Sequence, residues 1–146
     1  MTELERLQAE SACRHIVLAA ARAVDDQDYP ALAALFAPEG ELVRPGGQPL
    51  VGPAAILASY AAKDPERLTQ HIVCNHVVTA DSDTAARSRC TVILWSSRRS
   101  EELTPKGRKA DPLQQAGEIE DEFVKTAEGW KIRRRRAWFT MYAPGA

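Results

Sequence analysis

The hydrophobic period of this chain changes once, and that change constrains the fold more than any motif does. From Glu3 to Val24 the apolar residues Leu4, Leu7, Ala12, Ile16, Ala19, Ala20 and Ala23 recur at helical spacing among good helix formers. Asp25-Asp26-Gln27-Asp28 breaks the pattern, and Asp28 is placed to cap a second, short helix through Leu35 and Phe36, with Pro30 in its first turn. Pro38 and Gly40 end that helix, Glu41 to Arg44 reads as a short strand, and Pro45-Gly46-Gly47 turns the chain. Gly52-Pro53 opens a third helix over Ala54–Ala62, stopped by Asp64-Pro65. Beyond it the period falls to two. Leu68–Thr79 and Thr84–Trp95 alternate around Asp81-Ser82-Asp83, and Gly117–Lys125 and Trp130–Tyr142 alternate around Ala127-Glu128-Gly129. Between the two pairs, the polar stretch Ser96–Ala116 reads as a mobile loop at a sheet edge or pocket rim. Helices first and a strand meander after predict one α+β domain over residues 1–146, its helices on one face of an antiparallel sheet.

Composition excludes several functions. Nineteen Lys and Arg against 20 Asp and Glu leave a net charge of −1, with no global pull toward nucleic acid or anionic lipid. No stretch approaches the ~18–20 apolar residues of a membrane span, and the acidic start Met1-Thr2-Glu3 is unlike a signal peptide. Cys13, Cys74 and Cys90 are odd in number and widely spaced, as expected of small buried hydrophobes in a cytoplasmic protein. Phosphate-loop, nucleophile-elbow and zinc-ligand spacings are missing; His71 and His76, five apart in a strand, are expected on opposite faces. Arg133–Arg136 would be divided between two faces and paired with Glu118, Glu120 and Glu122.

Two features point toward chemistry. Asp25 and Asp26 end the first helix, where the macrodipole disfavours negative charge, and only Asp28 has a capping duty nearby. His71 opens a strand in which neither face is plainly polar, so one of His71 and His76 is expected to be buried. If one of the carboxylates met that ring, it would fix the tautomer and free the other nitrogen as a base near neutral pH.

The helix-helix-helix-meander order, Ala34-Leu35-Phe36-Ala37-Pro38, Gly52-Pro53-Ala54-Ala55-Ile56 and Gly129-Trp130-Lys131-Ile132 together resemble the nuclear-transport-factor-2-like superfamily. Within it the chain is most similar to SnoaL-like, polyketide-cyclase-like proteins, from about Leu7 to Tyr142. The resemblance implies a cone-shaped, curved sheet closed by the three helices around a pocket. Leu68-Thr69-Gln70-His71 resembles the strand that presents the catalytic histidine in scytalone dehydratase, and Val24-Asp25-Asp26 its aspartate segment; hexachlorocyclohexane dehydrochlorinase has a similar pair. Carried over, His71 becomes a general base and Asp25 its orienter, with Asp26 the alternative. The expected pocket wall includes Tyr60, Asn75, Trp95 and Trp138. The match departs at Leu94 or Trp95, where the dehydratase has a second histidine, and at Val24 and Arg44, near its tyrosines. The implied activity is a lyase or isomerase, without metal or organic cofactor, acting on a small hydrophobic cyclic or aromatic molecule. The alternative is a non-catalytic accessory subunit like the small subunit of aromatic-ring-hydroxylating dioxygenases. Consecutive bulky apolar residues in Thr91–Trp95 and Ala137–Tyr142 predict that the outer sheet face also needs cover, as in a homodimer.

Overall fold

The computed structural model describes residues 1–145. Helix α1 (Glu3–Asp25) starts at a capping box, in which Thr2 and Glu5 satisfy each other's backbone N–H groups. Its inner stripe, including Cys13, Ile16, Val17 and Ala20, is buried. Asp28 caps α2 (Tyr29–Ala33) by accepting from the Ala31 N–H at 3.1 Å. This helix is shorter than its pattern suggested. Phe36, expected at its end, instead opens strand β1 (Phe36–Val43), because the Leu35 carbonyl accepts from the Ile132 N–H and draws the chain into the sheet. After β2 (Leu50–Val51) and α3 (Pro53–Ala61) come four long strands: β3 (Arg67–Ala80), β4 (Ala85–Arg98), β5 (Gln114–Thr126) and β6 (Gly129–Ala143).

The sheet runs β2-β1-β6-β5-β4-β3, and every pair is antiparallel except β1 with β6. It is curved and does not close. The core lies between its concave face and the helices, where Ile56, Ile132, Leu32 and Phe36 are almost fully buried. The expected Ser96–Ala116 loop contracts to residues 99–113, because β3 is long enough to template β4 as far as Arg98. The loop is tied back by Ser96 to Asp111 (2.8 Å) and by Ser97 to the Lys109 carbonyl (2.6 Å).

Strand β3 carries a β-bulge between Cys74 and Val77, with Asn75 at φ 51°. Two residues, Asn75 and His76, oppose Cys90 alone, so the alternation changes parity. Above the bulge Thr69, His71 and Val73 face the helices; below it His76, Val78 and Ala80 do. His71 and His76 therefore share the concave face. The expectation of opposite faces fails because simple alternation cannot see an inserted residue.

Edge strand β3 is covered by α1, whose carboxylates satisfy its free N–H groups. Glu10 accepts from the Ala80 N–H at 3.3 Å, and Asp25 from the His71 N–H at 2.9 Å.

Candidate active site

Asp25 is the last residue of α1, and three donors converge on its carboxylate. The His71 N–H gives to Oδ2; the Thr69 hydroxyl gives to Oδ1 at 3.1 Å. His71 Nδ1 lies 2.6 Å from Oδ1. An ionised carboxylate only accepts, so this contact puts the imidazole proton on Nδ1 and leaves Nε2 free. These donors offset the unfavourable helix-end position of the carboxylate. Both side chains are largely buried, at 15 % exposure for Asp25 and 25 % for His71. Asp26, the alternative partner, is exposed at the helix C-cap.

The His71 ring lines an open cavity of about 550 Å³ between the helices and the sheet. Val17, Ala20 and Val24 form its helical wall; Val73, Val92 and Leu94 form its sheet wall. Gly117 lies on the floor, where a Cβ would come within 2.6 Å of the Trp138 carbonyl oxygen. A side chain there would push β5 and β6 apart. Tyr29 and Tyr60 stack at 5.4 Å near the opposite wall, and burial pushes the Tyr60 hydroxyl pKa up against the opposing pull of Arg44 and Arg135.

Of the expected pocket residues, Tyr60 lines the cavity, and Trp138 does so while its indole packs beneath the outer-face guanidiniums of Arg89 and Arg136. Asn75 and Trp95 do not line it. Asn75 is turned outward by its left-handed bulge conformation, and Trp95 alternates with the cavity-lining Leu94, so its ring is on the convex face.

Sequence reasoning missed two other groups. Arg135, one of the four consecutive arginines, is buried at the cavity wall and makes a two-point contact with Asp121 at 2.7 and 2.9 Å. Burial opposes its charge, but Asp121 outweighs that and raises the Arg135 pKa. The signal available was Asp121 itself, a carboxylate between the inward positions of Ile119 and Phe123. Arg44, Lys63 and Arg67 also line the cavity, and no periodicity marked them. No group of three or more His, Cys, Asp or Glu side chains suited to a metal ion occurs among the described residues.

A SnoaL-like domain matches residues 5–136, nearly the whole fold just described. The chain belongs to the SnoaL-like family. Solved structures agree on its fold. A hexachlorocyclohexane dehydrochlorinase (LinA, type 2) superposes with a TM-score of 0.83 over 99 % of this chain and 94 % of its own, at 17 % identity. A scytalone-dehydratase-like protein of Novosphingobium aromaticivorans reaches 0.76 over 96 % and 89 %, at 22 % identity. An aromatic-ring-hydroxylase-like protein of the same organism gives 0.73 over 96 % and 94 %, at 25 % identity. No curated protein matches by sequence. No helix among the described residues is long and apolar enough to cross a membrane.

Proposed function

We propose that this SnoaL-like protein is a lyase or isomerase that removes a proton from carbon in a small, largely hydrophobic cyclic or aromatic substrate. The observation that carries the reading is the 2.6 Å Nδ1–Oδ1 contact on the wall of an apolar cavity. In the reaction, His71 Nε2 takes the proton from an activated C–H bond. The electron pair left behind forms a double bond as a β-substituent departs, or delocalises before reprotonation at another carbon. The imidazolium then returns its proton to the leaving group or to the new carbon. Asp25 is the positioning residue: it holds the tautomer and balances the charge that His71 acquires. Dehydratase- and dehydrochlorinase-type chemistry fit this scheme directly. In cyclase-type chemistry the same electron pair would form a bond to a carbonyl carbon of the substrate, whose oxygen takes the electron pair of the broken π bond and the proton from the imidazolium. The similar dehydrochlorinase and dehydratase-like folds support the reading by analogy.

The test is a double-mutant cycle. His71→Ala is expected to lower turnover by roughly 10²–10⁴, Asp25→Asn by less, and the pair by little more than His71→Ala alone, because the two act as a unit. Additive losses, or variants that lose stability but retain activity once folded, would sink the reading. A second reading, an accessory subunit that assembles through its sheet, draws on the exposed outer-face side chains Ile72, Ile93 and Trp95. We take that face to be covered by a second copy of the chain, which is compatible with either function.

A further inference from the structure

Taking the cavity as the substrate site, as above, we propose that its rim recognises an anionic group. The substrate would then be a carboxylate, or an acid of similar charge, joined to the hydrophobic part that reaches His71. The groups responsible are Arg44, Lys63 and Arg67, which come from the residue after β1, the turn after α3, and β3.

All three cations line the cavity, and none has a carboxylate within ion-pair distance among the described residues. The guanidinium of Arg44 lies 4.6 Å from the Tyr60 ring centre and the Lys63 ammonium 4.3 Å from it, so two positive charges share one aromatic ring. Arg44 also donates to the Ser59 hydroxyl, which fixes its direction. The other charges at the cavity are already committed. Arg135 is neutralised by Asp121, Asp25 holds His71, and Glu118 faces Arg89. Asp64 is the nearest possible counterion, yet its carboxylate accepts from the Glu66 N–H at 3.0 Å and pairs with no cation. Even with Asp64 counted, the rim has an excess of positive charge.

A purely solvated rim would leave these charges unperturbed. Instead burial, with Arg44 and Arg67 adding repulsion, pushes the Lys63 pKa down to about 8. Like charges held together at partial burial cost free energy, and a bound anion removes that cost. The spacing is also suitable. Arg67, Thr69 and His71 alternate on one face of β3, so Arg67 and His71 are about 13 Å apart at the backbone. The long arginine side chain shortens that span to the length of a small fused-ring acid.

Two probes of matched shape separate charge from hydrophobic fit: 2-naphthoate and its neutral amide, 2-naphthamide. Calorimetric titration of the full-length protein near pH 7 is expected to show naphthoate binding about tenfold tighter than the amide, with the difference shrinking in high salt. Lys63→Met and Arg67→Met should each reduce that preference and together reduce it further, to what Arg44 alone supports, while amide affinity is unchanged. Both residues reach solvent at the cavity mouth and are only partly buried, and a matching thermal melt confirms that each variant folds. His71→Ala should keep the preference intact. Loss of catalysis with the preference retained thus separates the base from the anion site, and a His71→Ala variant with unaltered turnover would count against the base alone. Equal affinity for the two probes, no binding of either at millimolar concentration, or a preference that is undiminished in the double variant would overturn the anion site.

Discussion

Both ring nitrogens of His76 are buried without a hydrogen-bond partner among the described residues. Burial is the main cause that holds its pKa below the ordinary 6.5; Arg14 and Arg135 add to this, and Asp121 pulls the other way. The unfolded chain therefore takes up a proton near pH 6.5 that the folded chain refuses until lower pH. Stability that is present above pH 6.5 is lost as the pH falls through and below it. Urea midpoints from pH 7 to 5 should decline for the wild type and decline less for His76→Leu. At pH 7 the variant should be more stable by about 1 kcal/mol, since an unsatisfied polar group is removed. Equal pH slopes for the two proteins would contradict this. The thiols behave similarly. Burial pushes Cys13 up to about 12 and Cys90 up to about 11. Iodoacetamide at pH 8 should alkylate at most Cys74 in the native protein and all three in urea, as mass spectrometry would record. Rapid native labelling of Cys13 or Cys90 would contradict their burial.

Among elements, β3 determines which residues can meet. Its upper half was legible from sequence because Thr69, His71 and Val73 alternate without interruption, and the end of the α1 period marked Asp25 and Asp26, between which the family resemblance favoured Asp25. Its lower half was not. The bulge is a single inserted residue whose only local sign is an asparagine, one of the few side chains at ease near φ 51°. From that point the inward set changes parity, which misplaced His76 and removed Asn75 from the pocket. Arg135 escaped notice for a related reason: the β5–β6 ladder also shifts register, with Arg133 as an extra residue between Ile132 and Arg134, so the inward set passes from Ile132 to Arg135, and Asp121 across the ladder makes its burial tolerable. The bulge can be tested directly. Asn75→Gly should leave the melting temperature nearly unchanged, whereas Asn75→Val should cost ~1–2 kcal/mol, the penalty of a left-handed conformation for a side chain with a branched Cβ. Equal tolerance of both would mean that the strand can iron out its bulge.

At the scale of the whole molecule, the two faces of the sheet differ in what they leave unsatisfied. The concave face is covered by helices except at the cavity. On the convex face, Arg89, Arg133 and Arg136 pair with Glu118, Glu120 and Glu122 in a ladder, three charges of each sign, and Arg134 beside them makes no ion pair among the described residues. Above the ladder, Ile72, Ile93 and Trp95 remain 44 %, 37 % and 41 % exposed on adjacent strands, a cluster with no helix over it. A second copy presents the same apolar strip, so a symmetric sheet-to-sheet contact centred on it buries apolar surface on both sides and leaves the charged ladder toward its margin. Light scattering at micromolar concentration should accordingly give a mass above the 16.1 kDa of one chain. Trp95→Glu, and separately Ile93→Glu, should shift the protein to the monomer. Neither side chain lines the cavity, so binding of 2-naphthoate should survive in the monomer. A wild type that is already monomeric would refute the contact, and loss of ligand binding with dissociation would mean that the cavity depends on its neighbour.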